Sequence, residues 1–127
     1  MLGSSNATAT ATIAVKDLDA AREFYETTLD LKPIREEGSE AVTYQTGDST
    51  VLVYRSEFAG TNQATAVTWL LDEGLDEVVQ ELRSKGIQFE HYDMPGMTRE
   101  GDVHIAGDTR IAWFKDRDGN IHALVAA

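Results

Sequence analysis

The sequence predicts an α+β fold made of two βαβββ modules with pseudo-twofold symmetry. The modules are expected to form a curved mixed sheet around a cleft, with the helices on the outer face. Three observations point there. The first is an internal repeat, the feature that most directly sets an architecture. Ala11-Thr12-Ile13-Ala14-Val15 followed by Leu18-Asp19-Ala20-Ala21 recurs as Val67-Thr68-Trp69-Leu70-Leu71 followed by Leu75-Asp76-Glu77-Val78. The second is that Gly47-Asp48-Ser49-Thr50-Val51-Leu52-Val53 near the end of the first copy answers Gly119-Asn120-Ile121-His122-Ala123-Leu124-Val125 in the second. The third is the order of periodicities. Each copy opens with strand alternation, passes to a helical stripe and closes with short strands. A helix with one apolar stripe cannot bury it alone, so each helix must lie on one face of its sheet.

Residues 8–15 alternate Thr-Ala-Thr-Ala-Thr-Ile-Ala-Val, a strand of small and β-branched residues. Asp17 or Asp19 can cap a helix over 18–29, with Leu18, Ala21, Phe24, Tyr25 and Leu29 as its apolar stripe. Strands follow near 31–37, 41–46 and 49–55, set off by Glu37-Gly38 and Gly47-Asp48. A polar bridge from Ser56 to Gln63 leads to a strand at 64–71 and a helix at 75–85. That helix carries Leu75, Val78, Val79 and Leu82 on one side and is stopped by Gly86. Strands are expected near 87–92, 109–115 and 120–125, the last two joined through Asp118-Gly119-Asn120. Residues 93–108 have no assigned element, and a loop of that length often serves as a binding loop or lid.

A chain of 127 residues is expected to form one domain, residues 1–127, with modules at about 8–55 and 64–125. Hydrophobic residues make up 42% and charged residues 26%, an ordinary globular balance. There are no cysteines, so disulfides, thiolate nucleophiles and Cys-bound zinc are excluded together. No apolar run reaches the roughly 18 residues that span a bilayer, and Met1 to Ala9 lacks the layout of a secretory leader. A cytoplasmic location, with no membrane partner, is the expectation. With 22 acidic against 11 basic residues the net charge is −11, which disfavours nucleic acid as a partner. Such a charge serves solubility, and it also suits a cationic ligand or a salt-adapted source.

The segments Val15-Lys16-Asp17-Leu18-Asp19 through Phe24-Tyr25, Leu29-Asp30-Leu31 and Phe114-Lys115-Asp116-Arg117-Asp118-Gly119-Asn120 resemble the vicinal oxygen chelate superfamily. It comprises glyoxalase I, extradiol dioxygenases, and fosfomycin and bleomycin resistance proteins. The resemblance covers nearly the whole chain. Tyr92-Asp93-Met94-Pro95-Gly96 and Ala112-Trp113-Phe114 are similar to those of a bacterial subgroup that lacks the metal ligands. Asp30 stands where the family usually has Gly, and Asp tolerates a left-handed backbone better than most residues. Arg117 replaces the usual Pro. The resemblance implies a divalent metal held by four His, Gln or Glu side chains, two from each module. Here those positions fall on Thr10, Val51, Ala66 and Ala123. A slip of one residue would substitute Ala9 or Ala11, Thr50 or Leu52, Thr65 or Val67, and His122 or Leu124, with a single ligand type among them. Divalent metals of this class need carboxylate oxygen or imidazole nitrogen, so no metal and no other cofactor is expected.

Other candidates carry less. His91, His104 and His122 could be proposed as a three-His site, but parity turns His122 toward the helix side. His104 in the long segment near Asp102 is either a solvated residue or an acid–base group. Glu90-His91-Tyr92-Asp93 reads as a strand, whose alternation would separate Glu90 and Tyr92 from His91 and Asp93. Trp69 is expected to pack under a helix. The ligand-cleft candidates are Thr10, Thr12, Tyr44, Val51, Val53, Arg55, Phe58, Ala66, Thr68, Tyr92, Met94, Met97, His104, Trp113 and Ala123. Aromatic walls with a few polar groups suit organic ligands. The function read from the sequence is a metal-free module that binds a small organic molecule, in sequestration or resistance. The alternative is a metal-independent lyase or isomerase using Tyr92, His104, Asp102 and Arg55. A partner-binding or regulatory protein is a third reading. A homodimer is expected, because small modules leave sheet edges to cover.

Overall fold

The computed structural model describes residue 3 and residues 8–126, so most of the stretch read above for a secretory leader lies outside the described residues. The chain divides into two compact units, Met1–Ala59 and Gly60–Ala127. The first has the βαβββ order that the sequence predicts, and the second has that order with one further short strand after its helix.

The first unit contains β1 (Ala11–Val15), α1 (Leu18–Glu23), a π-helical turn (Phe24–Thr28), β2 (Lys32–Glu37), β3 (Ala41–Thr46) and β4 (Ser49–Arg55). Its sheet runs β1-β4-β3-β2, with β1 parallel to β4 and the other pairs antiparallel. The Asp17 carboxylate accepts from the Ala20 amide at 3.1 Å and caps α1. The helix then widens. The Leu29 amide bonds to the Phe24 carbonyl at 3.0 Å, five residues back, where an unbroken α-helix was expected. Both Phe24 and Tyr25 are buried in this turn, edge to face at 5.1 Å. Asp30 follows with φ 62°, the left-handed conformation expected where the family has Gly.

The sheet presents two unlike faces. Tyr44 stacks on Tyr25 and donates to Glu26 at 2.9 Å, which marks the face that meets the helix. Val51 is the register partner of Tyr44, and Val53 that of Val42, so both valines share that face. Thr43, Thr50 and Leu52 alternate with them and point to the other side, together with Thr10 and Thr12.

The second unit contains β5 (Thr65–Leu70), α2 (Leu75–Ser84), β6 (Thr98–Glu100), β7 (Val103–Ala106), β8 (Thr109–Lys115) and β9 (Ile121–Ala126), with sheet order β5-β9-β8-β7-β6. α2 buries Leu75, Val79 and Leu82 and ends at Gly86, φ 94°, whose amide bonds back to the Arg83 carbonyl. The ion pair of Asp76 with Arg110 places α2 over the face that carries Arg110, Ala112 and Phe114. His122 and Leu124 lie on that same face, and Trp113, Ala123 and Ile111 on the opposite one.

Two expectations fail here. Residues 87–92 are not a strand; they make a single bridge, Glu90 to Trp113. The stretch 93–108 is not irregular throughout, because it holds the β6–β7 hairpin, turned through Gly101 at φ 62°. The physical reason is shared use of one edge. β7 pairs with β8 from Thr109 to Ile111, which leaves Trp113 alone for Glu90. The turn Asp116–Asn120 closes on itself, with the Asp116 carboxylate accepting from the amides of Asp118 at 2.9 Å and Asn120 at 2.8 Å. The family-like segment around Asp116 is thus a turn lock.

Candidate functional site

The helix-facing layers hold polar groups with partners. In the first unit Arg22 pairs with Glu26 at 2.6 Å and with Glu36, and Tyr44 completes the set through Glu26. The Arg22 hydrogen bond holds the Glu26 carboxyl below its usual range, against the effect of burial. Burial raises the Tyr44 hydroxyl, and the bond to Glu26 raises it further. In the second unit Trp69 Nε1 donates to His122 Nδ1 at 3.0 Å, and His122 stacks on Phe114 at 4.9 Å. Burial lowers the His122 imidazole to about 4, partly opposed by Asp116. His122 and Trp69 therefore belong to the helix side, as parity implied.

The face away from α2 differs. Trp113, Ile121 and Ala123 form a buried cluster, with Tyr92, Met97, Ile111 and Val125 packed against it. Tyr92 meets Trp113 edge to face at 5.1 Å, and His104 meets Trp113 at 4.8 Å. Two open depressions flank Tyr92. One, of about 260 Å³, is lined by Gln63, Ala64, Thr65, Met94, Trp113 and Ile121 besides Tyr92. The other, of about 290 Å³, is lined by His91, Asp93, Met97, Thr98, Arg99 and His104 besides Tyr92.

Among the described residues, two polar atoms in this wall lack hydrogen-bond partners. His104 is 1% exposed, and its Nε2 accepts from the Tyr92 amide at 2.9 Å. An accepting Nε2 leaves the ring proton on Nδ1, and that donor has no partner. The Tyr92 hydroxyl is likewise buried without a partner. An orphaned buried donor costs about 1–3 kcal/mol, and the two rings that carry these atoms lie 6.4 Å apart. Burial raises the Tyr92 hydroxyl, with Glu90 adding to it, so the phenol stays protonated at neutral pH. Beside them His91 Nε2 lies 2.7 Å from Asp102, which Arg83 also holds. Burial works to raise the Asp102 carboxyl, but the bonds from His91 and Arg83 outweigh it and keep it low.

The structure thus brings Tyr92, Met94, Met97, His104, Trp113 and Ala123 together on one face. It also overturns the separation of His91 from Tyr92. Strand alternation does not apply to residues that form no strand, and both line the same depression. Thr10 and Thr12 lie on the open face of the first sheet, where the Thr10 hydroxyl meets that of Thr50 at 2.8 Å. Tyr44, Val51 and Val53 are corrected, because their side chains are buried toward α1. Thr50, Leu52 and Thr43 take the open face in their place. The alternation of buried Val51 and Val53 was the signal, misread by one residue. Arg55 is also corrected. It is clasped by Glu40 at 3.1 and 3.2 Å and lines a depression at the start of α1. Phe58 stands 78% exposed in the turn after β4. Thr68 is exposed beside Ala123, its register partner, and Ala66 sits half-buried where the β5–β9 register shifts.

The family's model for the Glyoxalase/Bleomycin resistance protein/Dioxygenase superfamily matches residues 7–124. The chain belongs to this superfamily. Its fold is similar to lactoylglutathione lyase from Agrobacterium tumefaciens, with TM-score 0.72, 16% identity, and 97% of this chain and 95% of that one covered. It is also similar to the glyoxalase/bleomycin resistance protein/dioxygenase from Alicyclobacillus acidocaldarius, with TM-score 0.70, 18% identity, and coverage of 95% and 91%. A third similar structure is the fosfomycin resistance protein FosX from Mesorhizobium loti, with TM-score 0.69, 15% identity, and coverage of 97% and 93%. At these identities the likeness shows the fold. No curated protein matches the chain.

The metal that the superfamily implies does not fit these residues. Of the four positions to which the resemblance assigns the ligands, Val51 faces the helix, and its neighbour Thr50 and Thr10 hydrogen-bond to each other. Ala66 and Ala123 offer no donor. Among the described residues no three of His, Cys, Asp or Glu are grouped to hold an ion. Among them, too, no helix is long and apolar enough to cross a membrane.

Proposed function

We propose that this protein is a cytoplasmic module that binds a small organic molecule without a metal, at the open face of its second sheet, in sequestration or resistance. The observation that carries this reading is the pair of unpartnered buried polar atoms, Tyr92 Oη and His104 Nδ1, set in an aromatic wall. A ligand with a flat apolar body and an acceptor oxygen or nitrogen would satisfy both atoms while stacking near Trp113. The test is a metabolite screen on chelator-treated protein. With Trp69→Phe, Trp113 is the sole remaining tryptophan and reports binding by its fluorescence. Saturable quenching that Tyr92→Phe weakens supports the reading; no response across the screen, or quenching indifferent to Tyr92→Phe, counts against it.

One observation favours a second reading, a metal-independent lyase or isomerase. His91 is held by Asp102, itself held by Arg83, at the rim of the depression that His104 lines. An imidazole oriented by a carboxylate is suited to take a proton from a bound substrate. Turnover in metal-free buffer, lost in His91→Gln with binding retained, would decide for it. We further propose a homodimer, supported by Phe58 and by Leu70, which is 82% exposed, and by the fully exposed strand β2. Light scattering at high micromolar concentration should give twice the chain mass; a monomer would contradict it.

A further inference from the structure

The open face of the first sheet has a feature that the reading above does not use. It begins with a β-bulge. Pro33 pairs with Tyr44, but the next register pair is Arg35 with Thr43, so Ile34 is an extra residue. A bulge of this kind re-aims the side chains that follow it. With regular pairing Arg35 would oppose Val42 on the helix face and Glu36 would oppose Ala41 on the open face. The bulge exchanges them. Glu36 now opposes Val42 and reaches Arg22 of α1, while Arg35 opposes Thr43 on the open face.

What the bulge delivers is a cation without a counter-ion among the described residues. The other arginines of this unit, Arg22 and Arg55, are each clasped by glutamate. Arg35 has no ion pair or hydrogen bond among the described residues, in a chain with twice as many acidic as basic side chains. It lines a depression of about 320 Å³ with Thr10, Thr43, Thr50, Ile34 and Leu52, none of them acidic. The hydroxyls of Thr10 and Thr50 bond to each other at 2.8 Å. That bond uses one of their two protons and leaves the second to donate outward. The Thr43 hydroxyl adds another donor.

We propose that this face is an oxyanion site, in which Arg35 and the threonine hydroxyls take a carboxylate or phosphate group while Ile34 and Leu52 take the apolar remainder of the ligand. The guanidinium fork matches either oxyanion in a bidentate way that an ammonium cannot.

Titrations followed by amide chemical shifts test it, with benzoate, phenyl phosphate and the uncharged benzamide as probes. Shifts should centre on Thr43, Thr50 and Leu52, and either anion should bind at least tenfold more tightly than benzamide. The tighter of the two anions identifies the group, planar or tetrahedral. Arg35→Gln should weaken anion binding at least tenfold, Arg35→Lys by less, and Thr10→Val with Thr50→Val severalfold. Arg117→Gln, an exposed turn position, should leave binding unchanged. Arg35 is exposed, so its variants should retain the wild-type amide spectrum. Equal affinity for benzamide, undiminished binding in Arg35→Gln, or shifts confined to the surroundings of Trp113 would overturn the proposal. The last outcome would leave the site at Tyr92 standing, and its failure would leave this one standing.

Discussion

Tyr44 and Tyr92 sit in the two units of one repeated architecture and carry the same chemical group into opposite situations. The Tyr44 hydroxyl is buried toward α1 and donates to Glu26, which Arg22 holds in turn. The Tyr92 hydroxyl is buried on the face away from α2 and donates to nothing among the described residues. The helix-facing layer of each unit satisfies its polar atoms internally: the first with an ion-paired network, the second with a neutral imidazole between Trp69 and Phe114. The open face of the second unit leaves two atoms unsatisfied. Polar groups that complete the fold have partners within it, and on the proposed reading those left over are the ones a ligand would meet.

The largest effect that separates the two layers should come from deleting aromatic rings. Tyr25→Ala removes a fully buried ring under the first sheet and should cost about 3–5 kcal/mol in urea unfolding. Trp113→Ala removes a ring that borders a depression, so it should cost less while abolishing ligand binding. Equal costs would break the distinction between core and pocket wall.

Next in size is the acid response of His122. Its folded value is lowered to about 4 from an ordinary value near 6.5. The unfolded chain therefore binds the extra proton between these values. The stability contributed by the neutral ring is present above about pH 6.5 and is lost as pH falls toward 4. The loss should be on the order of 3 kcal/mol. His122→Gln keeps an acceptor for Trp69 but cannot titrate, and its unfolding free energy should fall less over the same range. An identical fall in the variant would show that other groups carry the response.

The two tyrosines supply the sharpest contrast in sign. Tyr44→Phe strands the Glu26 carboxylate's partner site and should destabilise by about 1 kcal/mol. Tyr92→Phe deletes an unpartnered hydroxyl, so it should leave stability unchanged or raise it by up to about 1 kcal/mol while weakening binding. The smallest expected effect is none. Chelator should not lower the melting temperature, because a metal stabilises a protein only by binding its folded state, and these residues provide no donor set for one. A fall with chelator would contradict the metal-free reading.

Much of the fold was legible because the repeat, the Asp17 cap, the Gly86 stop and the Asp118-Gly119-Asn120 turn are local signals. The π-turn at Phe24–Thr28 was not, since a widened helix keeps the same apolar stripe. The hairpin around Gly101 was hidden because Thr98-Arg99-Glu100 is fully exposed and shows no alternation. The side chains gathered on the open face of the second unit stood out in the sequence by their aromatic content. In the first unit the expected face of Val51 and Val53 was off by one position, which reverses the face of a strand. Arg35 could not be found from the sequence, because its direction depends on a bulge that only the register reveals.

The most direct test of the metal-free pocket is native mass spectrometry of wild-type and Tyr92→Phe protein, both purified from cells in chelator. The expected result is a non-covalent organic species on metal-free wild-type chains, reduced or lost in the variant whose stability is unimpaired. A stoichiometric divalent metal retained by both proteins, or an organic species held equally by both, would contradict it.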